Sequence, residues 1–143
     1  MRYNISIYRE KRVQGRFKMR TPWGQSDGQR TIIKGMVDYN TPRHGGIHLA
    51  PELVKRLPKF VTTDCNHLHS LTWWEEDCDW AIPFIVFAKE IQATYPAYAE
   101  DIKIAHRVCK NWHPEIYAQL VQSVTPVTPA IDETELILAN RDF

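Results

Sequence analysis

Hydrophobic and polar residues alternate in short runs along the first part of the chain. Residues 2–8 place Tyr3, Ile5 and Ile7 on one side of an extended backbone, and this period of two predicts a half-buried strand. Other short apolar runs, separated by Gly- and Pro-rich segments, predict further strands in the same half of the chain. These predicted strands are residues 16–19, 31–39 and 47–49, with residues 60–63 as a weaker candidate.

The hydrophobic spacing changes to three or four residues from residue 77 onward. An apolar stripe at this spacing predicts a helix with one face buried against the rest of the protein. The stripe consists of Trp80, Phe84, Phe87, Ala88 and Ile91. The other predicted helices are residues 51–57, 98–112 and 114–123.

Strands that precede helices, instead of alternating with them, predict an α+β fold. We expect an N-terminal antiparallel β-sheet of three to five strands packed against about three C-terminal helices. The length predicts a single domain over residues 1–143. Within it, residues 1–72 are expected to be rich in strands, residues 77–123 helical, and residues 124–143 a tail.

The composition is that of a globular protein able to fold without disulfides or metals. Hydrophobic residues make up 43% and charged residues 24% of the 143 residues. No signal peptide and no membrane-spanning segment is expected, because no apolar run is long enough. The three cysteines, Cys65, Cys78 and Cys109, are odd in number and irregularly spaced, which favours reduced thiols and a cytoplasmic location.

Charge is distributed unevenly along the chain. Residues 1–60 hold 13 of the 18 Lys and Arg residues, whereas residues 61–143 hold 13 of the 17 Asp and Glu residues. A basic stretch near the N-terminus is typical of a surface that contacts nucleic acid phosphates, although the two halves can instead pack together and neutralise each other. The basic stretch consists of Arg9, Lys11, Arg12, Arg16, Lys18 and Arg20.

The first segment with candidate chemistry is residues 41–48, which reads Thr-Pro-Arg-His-Gly-Gly-Ile-His. Paired glycines let another group approach the backbone closely, and a histidine beside them can act as acid, base or ligand. With Arg43 before His44, the segment suits an anion or a nucleotide-like group. The structural alternative is a tight turn between two strands at Gly45 and Gly46.

The second segment with candidate chemistry is residues 73–80, in which four carboxylates lie between tryptophans. Repulsion between like charges and burial beside Trp both raise carboxyl pKa values, as acid–base chemistry requires. Oxygen ligands at this density can also hold a divalent cation. The structural alternative is the start of the buried helix, where acidic residues complement the helix dipole. The four carboxylates are Glu75, Glu76, Asp77 and Asp79.

The remaining histidines and cysteines suggest a metal site only weakly. Cys65, His67 and His69 fall on one face of a strand, but the sequence lacks the paired short-spaced ligands that are typical of zinc sites. A cysteine nucleophile paired with a histidine is a further alternative. We therefore assign no metal ligands from the sequence, and the cofactor is unknown.

Three motifs together resemble a bacterial family with a domain of unknown function, which occurs in genomes, phages and plasmids. They are Thr21-Pro-Trp-Gly24, the TPxHGGI pattern of residues 41–47, and the WxEEDCDWA pattern of residues 73–81. The resemblance covers about residues 21–115 and implies no activity. It implies a setting on mobile genetic elements, where small proteins often block host defence.

Two functions therefore stay open, and the sequence does not decide whether the protein is an enzyme. The first is a cytoplasmic accessory protein that binds a protein or nucleic-acid partner, suited by abundant Trp, Tyr and Arg. The alternative is a small enzyme that requires His44 to lie beside the carboxylates of residues 75–79. The candidate catalytic residues are His44, Glu75, Glu76 and Asp77. The candidate binding residues are Trp23, Arg43, Gly45, Gly46, His48, Trp74, Asp79 and Trp80.

Overall fold

The computed structural model describes residues 18–63 and 70–124 and has the predicted α+β architecture. Two sheets come first, both antiparallel, and the longer helices follow. The strands are β1 (Arg20–Thr21), β2 (Gly24–Gln25), β3 (Gly28–Ile33), β4 (Met36–Asn40), β5 (Gly45–Leu49) and β6 (Trp73–Glu75). The helices are α1 (Pro51–Val54), α2 (Lys59–Thr62), α3 (Ala81–Val86), α4 (Ala88–Thr94), α5 (Ala99–Trp112) and α6 (Pro114–Val124).

The main sheet has four strands in the order β3-β4-β5-β6, and β1 pairs with β2 in a separate hairpin. The sequence pattern predicted one strand over residues 31–39, and this prediction is wrong. The chain turns at Gly35, whose φ of 90° lies in the left-handed region that favours glycine, and returns as β4. The apolar residues on both sides of this turn made two strands look like one run.

The register of the main sheet separates a core face from an outer face. Successive strand residues point to opposite faces, and directly paired residues share a face. Ile47 of β5 pairs with Trp74 of β6, and both are fully buried against the helices. His48 pairs with Trp73 on the outer face, where both side chains are half-buried.

Helices α3 to α6 cover the core face and supply much of the hydrophobic core. The predicted stripe from Trp80 to Ile91 is buried, except for half-buried Ala88, but the helix is divided into α3 and α4 at Phe87. Phe87 has a φ of −102° and a ψ of 19°, outside the helical region, so one continuous helix was an incorrect prediction. Pro83 lies in the first turn of α3, where its missing N–H costs nothing.

Two other predicted elements differ from the structure. Residues 60–63 were a weak strand candidate, but the chain there forms the short helix α2, which places Val61 in the core. Residues 73–75 were not predicted as a strand, because a three-residue strand carries too little periodicity to be recognised. The predicted strand at residues 2–8, half of that at residues 16–19, and nearly all of the tail lie outside the described residues.

A small group of charged side chains is buried between the sheet and α5. Arg30 Nη2 lies 3.9 Å from Asp38 Oδ2, and the guanidinium lies 5.3 Å from the centre of the Tyr98 ring. Asp101 is 1% exposed. Burial raises the pKa of Asp101, while the positive charge of Arg30 opposes this rise.

Within residues 18–63 and 70–124, no helix has both the length and the apolar character that crossing a bilayer requires.

Candidate functional site

The pairing of β5 with β6 brings the two candidate segments together at one end of the main sheet. Gly46 lies directly opposite Glu75, and the Glu76 N–H donates a 3.0 Å hydrogen bond to the Gly45 carbonyl. Residues about 30 positions apart in sequence thus become neighbours. The juxtaposition on which the enzyme hypothesis depends is present in the fold.

His44 is held at this end of the sheet by a turn that Thr41 closes. The Thr41 hydroxyl donates to the His44 carbonyl at 2.6 Å and accepts from the His44 N–H at 3.1 Å. Such side-chain bonds to the backbone are the reason that threonine stabilises turns. Because both groups are fixed by backbone contacts, His44 enters β5 with its ring directed at the carboxylates.

The imidazole of His44 faces two carboxylates without forming a hydrogen bond to either. Its Nδ1 lies 3.7 Å from Glu75 Oε1 and 3.8 Å from Glu76 Oε1. This nitrogen is shielded from solvent and has no hydrogen-bond partner among the described residues, although the side chain as a whole is 41% exposed. One ligand atom each from His44, Glu75 and Asp77 lies within 4.8 Å of the others.

The carboxylates occupy the end of a strand and the turn after it, and the predicted helix start is wrong here. Glu75 ends β6, residues 76–80 form the turn, and α3 begins only at Ala81. No side chain among the described residues caps α3, so these carboxylates do not act as helix caps. The Trp80 N–H donates to the Glu75 carbonyl at 3.0 Å and closes the turn.

A second group of polar side chains lies on the other side of Glu75. Cys78 Sγ lies 3.6 Å from Glu75 Oε2 and 3.4 Å from Asp79 Oδ1. Asp79 Oδ1 also lies 3.0 Å from His113 Nε2. His113 lies just before α6 and 34 positions from Asp79, so no local pattern in the sequence marks it as part of this group.

Burial and crowding change the acid–base behaviour of two groups in this cluster. Burial raises the pKa of Glu75, and the hydrogen bond and negative charge of Asp77 raise it further. Burial, together with the charges of Asp79 and Glu75, raises the pKa of Cys78 to about 12. Cys78 is therefore a thiol at neutral pH, which disfavours the alternative of a cysteine nucleophile at this position.

The two glycines lie inside β5 and not in a turn. Because Gly46 is paired on both sides, with Tyr39 of β4 and Glu75 of β6, its backbone forms part of the sheet. A Cβ atom on Gly46 would lie 2.4 Å from the Trp23 ring, and one on Gly45 would lie 2.9 Å from Glu76 Oε2. The glycines thus allow Trp23 and Glu76 to approach the strand.

Some predicted binding residues gather on the outer face of the sheet, next to the cluster. The rings of Trp23 and Trp73 are 5.8 Å apart at nearly right angles, and His48 packs 4.6 Å from Trp73. Tyr39 completes this aromatic group, 5.7 Å from Trp73. Arg43 is exposed in the turn before His44.

The other predicted binding residues, and the cysteine and histidines considered for a metal site, do not lie in this aromatic group. Trp74 and Trp80 lie in the hydrophobic core, at 0% and 1% exposure. Lys18 and Arg20 of the basic stretch are exposed. Cys65, His67, His69 and the other members of the basic stretch, Arg9, Lys11, Arg12 and Arg16, lie outside the described residues.

The fold and the site together define an α+β protein whose main sheet carries a histidine–carboxylate cluster at one end. The chain belongs to the family described as Domain of unknown function (DUF7007), which matches residues 16–136. This match confirms the predicted membership of a domain-of-unknown-function family, and it spans both candidate segments. No curated protein and no solved structure matches the chain.

Proposed function

We propose that this protein is a small metal-dependent hydrolase whose divalent cation is bound by His44, Glu75 and Asp77. The observation that carries the proposal is the position of His44 Nδ1, 3.7 Å from Glu75 Oε1 with no hydrogen bond between them. Ligand atoms around a tetrahedral ion with bonds of about 2.0–2.3 Å lie about 3.3–3.7 Å apart. A cation between these atoms would therefore require only small side-chain movements.

The exposure of the cluster supports a catalytic role over a structural one. The His44 side chain is 41% exposed and that of Glu75 is 28% exposed. Structural zinc sites are closed by four protein ligands, whereas catalytic sites have three and leave one position for water or substrate. Three protein ligands at the open end of a sheet match the catalytic arrangement.

Glu76 is the proposed general base. Its carboxylate lies 3.8 Å from the His44 imidazole and is 24% exposed, so it lies beside the ligands and remains accessible to water. Glu76 takes a proton from a water molecule, and the water oxygen forms a bond to the electrophilic atom of the substrate. The bond to the leaving oxygen breaks, and that oxygen receives the proton from Glu76.

The proposal predicts that His44→Ala and Glu75→Gln each weaken metal binding by at least about 100-fold, because even outer partners of ligands contribute 10- to 100-fold. Titration of tag-free protein with Zn²⁺ and Mn²⁺ in a calorimeter measures the affinity. His106→Gln and Glu115→Gln are matched controls, since these residues lie on α5 and α6 outside the cluster. Wild-type protein that binds neither ion would contradict the proposal.

The same proposal predicts that Glu76→Gln keeps the metal affinity and lowers turnover by a factor of about 10² to 10⁴, the usual contribution of a general base. Release of nitrophenol from bis(4-nitrophenyl) phosphate and from 4-nitrophenyl acetate reports hydrolysis. A Glu76→Gln variant with wild-type turnover would remove Glu76 from the mechanism, and no metal-dependent hydrolysis of either probe would remove the hydrolase function.

The second candidate is an accessory protein that binds a protein or nucleic-acid partner in the cytoplasm. The aromatic group on the outer face favours it, because half-buried Trp side chains are common anchors of interfaces. The free thiol of Cys78 suits a reducing compartment. Recovery of one partner by wild-type protein and its loss with Trp73→Ala would support this function, and recovery of none would count against it.

A further inference from the structure

Glu75 presents its two carboxylate oxygens to two different sets of side chains. Oε1 lies 3.7 Å from His44 Nδ1, in the set that includes Asp77. Oε2 lies 3.6 Å from Cys78 Sγ, in the set that includes Asp79 and His113. A carboxylate placed in this way between two groups of ligands has the geometry of one that bridges two metal ions.

The second set has the distances of a metal site in its own right. Cys78 Sγ lies 3.4 Å from Asp79 Oδ1, and His113 Nε2 lies 3.0 Å from the same oxygen. Ligand atoms around a tetrahedral zinc ion lie about 3.3–3.7 Å apart, so the sulfur–oxygen distance fits, and the hydrogen-bonded His113 and Asp79 would separate by a few tenths of an ångström around an ion. An ion bound here would displace the Cys78 proton to solvent, and the resulting thiolate forms with the imidazole and carboxylate a set that suits zinc.

The two sets differ in their access to solvent. The His113 side chain is 5% exposed and that of Asp79 is 17% exposed, whereas the His44 side chain is 41% exposed. The fold therefore places one nearly closed set directly behind one open set, with Glu75 between them. Such an arrangement suits a firmly held inner ion and an outer ion that meets the substrate.

We propose that the protein holds a second divalent cation, bound by Cys78, Asp79 and His113 and bridged to the first by Glu75. This inference rests on the proposed hydrolase function of the first site and names its substrate class as phosphate esters. Paired cations stabilise both the attacking and the leaving oxygen of an in-line displacement at phosphorus. Water oxygen bonds to phosphorus, the ester P–O bond breaks, and the leaving oxygen takes the proton that Glu76 removed from water.

Metal content measured by mass spectrometry after dialysis against Zn²⁺ tests the number of sites. We expect two equivalents in the tag-free wild-type protein, and about one equivalent in both Cys78→Ser and His44→Ala. Cys65→Ser is the matched thiol control and is expected to retain two. Circular dichroism checks that each variant is folded, and the near-isosteric Cys78→Ser keeps the test valid if variants of buried His113 unfold.

Cobalt substitution identifies the ligand atom. Cys78 as a ligand predicts a thiolate-to-cobalt charge-transfer band in the near ultraviolet that is present in wild-type protein and in Cys65→Ser but absent in Cys78→Ser. One equivalent that depends on His44 and is insensitive to Cys78→Ser would overturn the second site and leave the proposed function in place. No bound metal at all would overturn both.

The substrate class has its own test. Hydrolysis of bis(4-nitrophenyl) phosphate is expected to require both ions and to fall at least about 100-fold in Cys78→Ser, as for loss of a metal-site partner. Faster hydrolysis of 4-nitrophenyl acetate than of the phosphate probe would overturn the assignment to phosphate esters, while leaving the first site as a hydrolase centre.

Discussion

Gly46→Ala is expected to destabilise the protein by about 3 kcal/mol, at the upper end of the cost of overpacking. A Cβ atom on Gly46 would lie 2.3 Å from the Trp74 carbonyl oxygen and 2.4 Å from the Trp23 ring. The ring can move, but the carbonyl oxygen belongs to the neighbouring strand β6. The pairing of β5 with β6 must therefore shift, and urea unfolding followed by circular dichroism measures the loss.

Two further variants separate the two contacts. Adding Trp23→Ala to Gly46→Ala removes the contact with the ring and is expected to recover only part of the stability, because the contact with the Trp74 carbonyl remains. Gly24→Ala is the control for a glycine with open space around its Cβ position, where only the positive φ of 118° causes strain. A Gly46→Ala protein as stable as wild type would show that the strands are not packed this closely.

Arg30→Met is expected to cost about 3 kcal/mol of stability at neutral pH, the usual cost of removing one member of a buried group of charges. The substitution keeps an apolar chain of similar length against Tyr98 but leaves the Asp38 and Asp101 carboxyls, at 2% and 1% exposure, without the nearby positive charge. Thermal and urea unfolding at about pH 7.5 and about pH 5 measure the effect.

The loss of stability caused by Arg30→Met depends on pH, because the Asp101 carboxyl gains or loses a proton. Burial raises the pKa of Asp101 above its unfolded value, so the folded state binds the proton more tightly and its stability falls as pH rises through this range. Without Arg30 the pKa of Asp101 rises further. The loss in Arg30→Met is therefore expected to shrink as the pH is lowered and Asp101 takes up a proton.

Asp101→Asn provides the control for this pair. In the Arg30→Met background it removes one uncompensated buried charge, so it is expected to recover part of the stability at neutral pH and to weaken the pH dependence. A deficit in Arg30→Met that is the same at both pH values would contradict the account, since it would assign the loss to packing against Tyr98 alone.

If the two metal ions are present, they also change the stability of the folded chain. An ion that binds only the folded state stabilises it in proportion to the logarithm of its concentration above the dissociation constant. Unfolding experiments on Gly46→Ala and Arg30→Met are therefore best made in the presence of a chelator. The comparison then reports packing and buried charge without a contribution from bound metal.

Local sequence patterns predicted the elements that are stabilised mainly by contacts within one segment. The helix predicted over residues 98–112 matches α5 to within one residue of its observed start. The helix predicted over residues 114–123 begins where α6 begins, and Pro114 occupies its first position, where proline is favoured. In these helices the hydrogen bonds join neighbouring residues, so a short window of sequence contains the information that fixes them.

Hydrophobic patterns did not predict the boundary between two neighbouring elements of similar composition. The apolar run around Gly35 concealed the turn between β3 and β4, and the stripe through Phe87 concealed the break between α3 and α4. In both places a single residue leaves the regular backbone conformation while the hydrophobic positions continue. Burial of the side chains against other elements, which the sequence does not display, fixes these breaks.

By itself the sequence determined the α+β class and the residues of one candidate cluster, because their residue types mark His44 and the carboxylates of residues 75–79 as groups able to bind an ion or transfer a proton. Only the tertiary structure decided that they meet, since the pairing of Gly46 with Glu75 joins strands far apart in the chain. It also brought His113 to Asp79 across 34 positions. Long-range pairing depends on the packing of the whole chain, and no local pattern encodes it.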